Sequence, residues 1–249
     1  MESKDNLIIY GINPIIEAFK VKGALKEIYI AKNRLPKLTH IVTLAEVNGI
    51  PVNIVDEVFI NQKVRGVHQG VIARIKPPKR IFLEKALEKA LEKKEIPLFF
   101  ILDLIEDPQN FGSILRVAEA AGVHGVIYQK KRAVGQVSSV WKASAGAIWH
   151  VNLIEINNIK YAINFLKDEG LKVVGAEADG KLSLWEADFS GPLAIVLGSE
   201  GKGIRQTVKK LCDEIVYIPM KGQINSLNVA TATGILVFEV LRQRRKRLL

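Results

Sequence analysis

Asn110 and Arg116 stand six residues apart, across the point where an apolar run, Leu98 to Leu104, gives way to a helical pattern, Phe111 to Ala121. Ligands of α/β proteins bind beside the carboxyl ends of strands, which makes this junction a place for one. Asn110 would serve equally as a cap for the helix at Phe111, and Arg116 as a solvent-facing charge among Ile114, Leu115 and Val117. A guanidinium stays protonated, so a functional Arg116 is better suited to clamping a phosphate than to removing a proton. A second junction, GSEGKG from Gly198, follows the apolar run Leu193 to Leu197 and carries Glu200. Its glycines could cradle phosphate, but the G-x-x-x-x-G-K-[ST] spacing of a P-loop is absent. As an ordinary loop it leaves Glu200 an exposed acid. The third junction lies within EIVYIPMKGQINSLNVATATG. There a short strand, Ile215 to Ile218, is stopped by Pro219, and Gly222 and Asn225 mark a loop. Ser226 is placed to cap the helix that follows, with Asn228 one turn inside it. A helix N-terminus behind a polar loop offers unpaired N–H donors to a ligand; an ordinary strand–loop–helix unit is the plain alternative.

Such junctions act together only if their strands end side by side. From Pro97 onward strand and helix patterns alternate. The strands are Leu98 to Leu104, Gly125 to Tyr128, Ile148 to Ile156, Leu171 to Ala176, Leu193 to Leu197 and Ile215 to Ile218. Helices are expected at Phe111 to Ala121, around Val140, at Ile159 to Glu169, at Ile204 to Leu211 and after Ser226. The last helix carries Leu227, Ala230, Ile235, Phe238 and Leu241 at helical spacing. This alternation predicts an α/β fold with a parallel sheet covered on both faces. Residues 1–76 read as a smaller α/β domain. Its strands are Leu7 to Tyr10, Glu27 to Ile30, Val52 to Val55 and Val71 to Ile75, and its helices Pro14 to Lys20 and Leu38 to Val47. Residues 77–96 contain LEKALEKALEKK, with Leu83, Leu87 and Leu91 four apart, and read as a semi-rigid linker helix with one narrow apolar edge. Residues 97–249 form the larger domain.

The segment IPMKGQINSLNVA (Ile218 to Ala230) resembles the third signature of the SpoU, or TrmH-type, RNA 2′-O-ribose methyltransferases of the SPOUT superfamily. DPQNFGSILRVAEAAG (Asp107 to Gly122) resembles the first and IVLGSEGKGI (Ile195 to Ile204) the second, in family order. The resemblance implies a Rossmann-like sheet whose C-terminal segment passes through a loop, a deep trefoil knot. It implies S-adenosyl-L-methionine as methyl donor, held by Leu197, Gly198, Ile218, Met220, Ser226, Leu227 and Asn228. Without it, Leu197, Ile218 and Leu227 would be core residues. It assigns Asn110, Arg116, Glu200, Ser226 and Asn228 to the catalytic site, with Glu200 anchoring the loops and no metal. One departure is Ala230, where many members have serine. GINPIIEAFK and GVHQGVIARIKP resemble the substrate-binding domain of the ribosomal-RNA branch, so the implied substrate is a guanosine of 23S ribosomal RNA. Lys32, Arg34, Lys37, Lys63 and Arg65 are its candidate phosphate contacts. The implied assembly is a homodimer, in which the exposed face of the last helix is dimer surface and the arginine of one subunit completes the site of the other. The alternatives are a transfer-RNA or other ribosomal-RNA methyltransferase and a catalytically silent RNA-binding assembly factor.

Thirty-six Lys and Arg against 26 Asp and Glu give a formal charge of +10. That excess suits a polyanionic partner as well as it suits a solvated lysine-rich surface. DNA is not the expected polyanion. One cysteine, Cys212, rules out an internal disulfide and reads as a packed thiol. The start MESKDNLIIYG has no signal-peptide pattern, and no apolar run reaches membrane-spanning length, so a cytoplasmic location is expected. His68, His124 and His150 read as structural. The basic run RQRRKR, Arg242 to Arg247, is explained by the dipole at a helix C-terminus.

Overall fold

The computed structural model describes residues 7–77, 81–131, 138–224 and 226–246. Met1 to Asn6, Asn225 and Arg247 lie outside them. Two compact units emerge: Met1–Lys79 with Gln136–Trp149, and Arg80–Gly135 with His150–Leu249.

In the first unit, β1 (Leu7–Tyr10) leads to α1 (Ile12–Phe19), β2 (Leu25–Ala31), α2 (Thr39–Val47), β3 (Val52–Val55), α3 (Glu57–Lys63) and β4 (Val71–Ile75). Its sheet runs β1-β4-β2-β3, antiparallel except between β2 and β3. The sequence reading found these strands but missed α3, whose one fully buried residue is Ile60, too little for a helical stripe. His68 is held as expected: its Nδ1 accepts from the Gly70 N–H, and its Nε2 faces the Asn61 amide oxygen at 2.9 Å. The segment expected to begin a strand at Ile148 instead supplies a turn, Ala147–Trp149, behind α6 (Ser138–Ala143). Trp141 of α6 is fully buried and meets Trp149 edge-on at 4.5 Å, while the Ser138 hydroxyl donates to the Ile8 carbonyl. A bulky apolar pair separated by one turn thus closes onto β1.

The second unit holds a seven-stranded sheet, parallel at each pairing. After α4 (Leu83–Glu92) come β5 (Leu98–Asp103), α5 (Pro108–Ala120), β6 (Gly125–Gln129), β7 (Leu153–Ile156), α7 (Ile159–Asp168), β8 (Lys172–Ala176), β9 (Leu182–Ser183), β10 (Leu193–Gly198), α8 (Gln206–Lys209), β11 (Glu214–Tyr217) and α9 (Val229–Lys246). Their order is β7-β6-β5-β10-β8-β11-β9. Every residue of β5 is buried, as a strand covered on both faces requires. The two-residue β9 was not legible in sequence. α8 covers four residues rather than the expected Ile204 to Leu211. The last helix starts at Val229 and buries Leu236, Val237 and Val240, a face offset from the expected stripe, leaving Phe238 exposed.

Expected as a spacer, α4 instead lays Leu83, Ala86 and Leu87 into the core with Phe99 and Ile127, while Leu91 is 55% exposed. Its alanines complete a face that leucine spacing alone made look narrow. His124 is satisfied, accepting from the Leu98 N–H at its Nδ1 and facing Glu95 with its Nε2. His150, expected to be packed, is exposed because the strand starts three residues later. Cys212 packs against the core, and burial pushes its thiol up to about 12. The basic C-terminus does more than answer the dipole. Arg244 donates to the carbonyls of Ile96, Pro97 and Gly191, and burial pushes its guanidinium down to about 10, still a cation at neutral pH.

Substitution separates a packed helix from a spacer. Leu87→Ala should lower stability by about 2–5 kcal/mol in urea unfolding, whereas Leu91→Ala should stay within about 0.5 kcal/mol.

Candidate active site

The three junctions converge at one edge of the larger sheet. β5 ends at Asp103, and Leu104, with φ of +61°, turns the chain toward α5. Asp107 caps that helix, its Oδ2 accepting from the Asn110 N–H at 2.7 Å. Asn110 is therefore not the cap. Its side-chain amide Nδ2 donates to Glu200 Oε2 at 3.1 Å, and its Oδ1 accepts from Asn228 Nδ2 at 2.7 Å. Asn228 in turn caps α9, with its Oδ1 accepting from the N–H groups of Ala230 and Thr231 at 3.0 and 3.4 Å. This corrects the expected cap at Ser226: the cap and the start of the helix both lie two residues later, after a longer loop. One chain of hydrogen bonds, Glu200–Asn110–Asn228, thus ties the three signatures together. Each amide in it donates with one end and accepts with the other.

A cavity of about 480 Å³ opens between the loops that leave β8, β10 and β11. Its lining includes Leu197, Gly198, Ile218, Met220, Ser226 and Leu227, with Glu177 and Asp179 on another side. A second cavity, about 520 Å³, is lined by Glu106, Asp107, Gln109, Asn110 and Asn228. Ser199, Glu200 and Lys202 border both. A buried apolar wall beside a polar one can hold a molecule with a flat ring at one end and charge at the other. Arg116 is not brought to this cluster. It lies exposed on α5, and no hydrogen bond or ion pair of it is found among the described residues.

Sequence reasoning passed over three residues that hold the site. Asp103, fully buried, accepts from Arg205 twice: from its backbone N–H at 2.9 Å and from Nε at 2.7 Å. Arg205 also donates to Gln129. Glu177 accepts from the Ile204 N–H and from Lys209 Nζ, the latter at 2.9 Å. Asp179 and then Glu177 hold the Lys209 ammonium above its ordinary value by accepting hydrogen bonds from it. The available signal was positional: acidic residues at the carboxyl ends of parallel strands.

Residues 97–238 match the SpoU rRNA Methylase family, and residues 8–81 match the RNA 2′-O ribose methyltransferase substrate-binding family. The chain belongs to the SpoU rRNA methylase family. It is an RNA 2′-O-ribose methyltransferase. A TrmH-family protein of Bacillus subtilis, the tRNA/rRNA methyltransferase relative YacO, is 38% identical over 97% of this chain and 98% of its own. The 23S rRNA (guanosine-2′-O-)-methyltransferase RlmB of Shewanella oneidensis is 37% identical over 96% and 98%. The fold matches that of the SpoU methyltransferase AviRb from Streptomyces viridochromogenes, solved in complex with AdoMet. That likeness has a TM-score of 0.77 at 21% identity, over 97% of this chain and 91% of that one.

Asn228 has two separable duties in this SpoU methylase. Asn228→Ser keeps a good helix cap but cannot reach Asn110. Its stability should stay within about 0.5 kcal/mol of the parent, and turnover should fall at least about tenfold. Asn228→Ala should lose both, with about 1 kcal/mol of stability, measured by thermal unfolding beside a methylation assay.

Proposed function

We propose that this methyltransferase moves the methyl group of S-adenosyl-L-methionine to the 2′-hydroxyl of a guanosine in 23S ribosomal RNA, acting in the cytoplasm as a homodimer. The observation that carries the reading is that the 480 Å³ cavity shares a wall with the Glu200–Asn110–Asn228 chain. The volume lies in the range of pockets for ligands of this size, about 300–1,000 Å³. The residues fit the donor: Leu197, Ile218 and Leu227 offer an apolar slot for an adenine. The loops of Gly198 to Gly203 and Ile218 to Met220 bring backbone groups to its edge. Bound there, S-adenosyl-L-methionine supplies an electrophilic methyl on a sulfonium, so the protein needs no nucleophile of its own. The chain's residues orient and shield. Asn110 and Asn228, held by their mutual hydrogen bond, fix the wall against which the ribose rests, and Glu200 holds the loop that separates the two cavities. Lining up donor and acceptor in this way is itself a large part of catalysis.

Arg116 has a place in this reading through the dimer. Exposed on α5 in its own chain, it clamps the phosphate beside the target ribose in the partner's site. Phe238, 53% exposed on α9, supports a second copy covering that helix. Residues 1–76 grip the RNA, with the exposed Lys32, Lys37, Lys63 and Arg65 on its phosphates. Arg34 is a weaker candidate because the stem of its side chain lies against Gly70. The loops around Ser199 and Ser226 belong to the trefoil knot that the family relationship implies.

The test is methylation of purified ribosomal and transfer RNA, with ribose methylation mapped afterwards. A single 23S guanosine is expected. Modification of transfer RNA alone would move the substrate assignment, and no product from either would favour a silent assembly factor. Arg116→Ala should lower kcat by at least about 100-fold with donor affinity unchanged in calorimetry. Mixed dimers of Arg116→Ala and Asn110→Ala should recover part of the activity, and recovery of none would remove Arg116 from the partner's site.

A further inference from the structure

The chain leaving β10 bends back over its own strand end. Ser199 and Gly203 exchange both backbone hydrogen bonds, and a Cβ on Gly198 would stand 2.2 Å from the Gly203 carbonyl carbon. This turn, Gly198 to Ile204, forms one wall of the donor cavity. It ends with two successive N–H groups, of Ile204 and Arg205, and each is taken by a carboxylate from a different neighbouring strand. Glu177, just past β8, accepts from Ile204, and Asp103, the last residue of β5, accepts from Arg205. β10 lies between those two strands, so the turn is tethered on both sides. Space has been kept for one tether: at Gly203, whose φ is +63°, a Cβ would stand 2.2 Å from Glu177 Oε1.

We propose that Glu177 and Asp103 are positioning residues for the methyl donor, holding the Gly198 to Ile204 turn closed on the cavity through these two backbone hydrogen bonds. Neither needs to touch the reacting atoms. Glu177 borders the cavity, yet its two oxygens are engaged by the Ile204 N–H and by Lys209. Loss of the first bond frees the turn to sample open conformations, and donor affinity falls by the fraction of time it spends there. The same turn carries Glu200, so its displacement also loosens the bond to Asn110. The inference rests on S-adenosyl-L-methionine being the ligand of this cavity.

Three variants of Glu177 isolate the hydrogen bond from the charge. Glu177→Gln keeps an oxygen for the Ile204 N–H, and Lys209 retains Asp179. Glu177→Asp keeps the charge but is one methylene short, and Glu177→Ala loses both. Calorimetric titration of the full-length protein with S-adenosyl-L-methionine should give a Kd raised about tenfold in Asp and Ala, the loss of one hydrogen bond to a charged group. Gln should stay within about threefold of the parent. In the RNA assay KM for the donor should rise in parallel, with kcat at saturating donor within about threefold, the mark of lost binding rather than lost chemistry. Circular dichroism checks the fold, and the Asp variant carries the test should Ala not fold. An unchanged Kd in Asp, or a Gln variant as weak as Ala, would overturn the proposal. Failure of the parent protein itself to bind the compound would instead overturn the assignment of the cavity.

Discussion

Backbone N–H groups that are turned away from water must find an acceptor, and this requirement shapes the carboxyl edge of the larger sheet more than any reactive group does. Where the chain leaves β10 it folds back over its own end, with Gly198 close against Gly203. The donors at Ile204 and Arg205 are met by carboxylates, which bind an N–H more strongly than a carbonyl does. Burying Asp103 completely would cost several kcal/mol were it alone. The Arg205 guanidinium and its backbone N–H offset that cost, and the pair joins the end of β5 to the chain beyond β10, about a hundred residues away in sequence. Charge-assisted hydrogen bonds hold the turn on both sides.

The same economy runs through the amide chain. Asp107 takes over the cap of α5, which releases the Asn110 side chain to bridge Glu200 and Asn228. Asn228 both starts α9 and faces the site. A side chain with two structural partners has little rotameric freedom left, so the wall of the 520 Å³ cavity is preorganised before any ligand arrives. That suits a methyl transfer in which the donor is already an electrophile and the protein contributes geometry.

The excess of positive charge is less free than a count suggests. Arg205 and Lys209 are paired at the carboxyl edge of the larger sheet, Arg242 is paired with Glu239, and Arg244 is spent on three carbonyls at the opposite ends of the strands. Four exposed cations of the first unit, Lys32, Lys37, Lys63 and Arg65, make no ion pair among the described residues. These four lie in the residues that match a substrate-binding family.

Local pattern was enough to reveal six of the seven parallel strands of the larger unit, because strands covered on both faces are largely apolar, as β10 is and as β5 is up to Asp103. It was also enough to mark the three junctions, whose glycines, proline and asparagines announce turns and caps. It misread what depends on distant partners. α4 looked like a spacer because leucines at every fourth position give a thin stripe; the alanines beside them became core only when β5 and β6 came to lie beneath. The cap of α9 moved from Ser226 to Asn228, since either side chain can accept an N–H and only the length of the loop after β11 chooses between them. Asp103, Glu177 and Arg205 carried no motif at all. An acid at a strand end is unremarkable in one dimension, and it becomes a tether only when the sheet order places β10 between β5 and β8, so that two carboxylates reach the same turn from opposite sides.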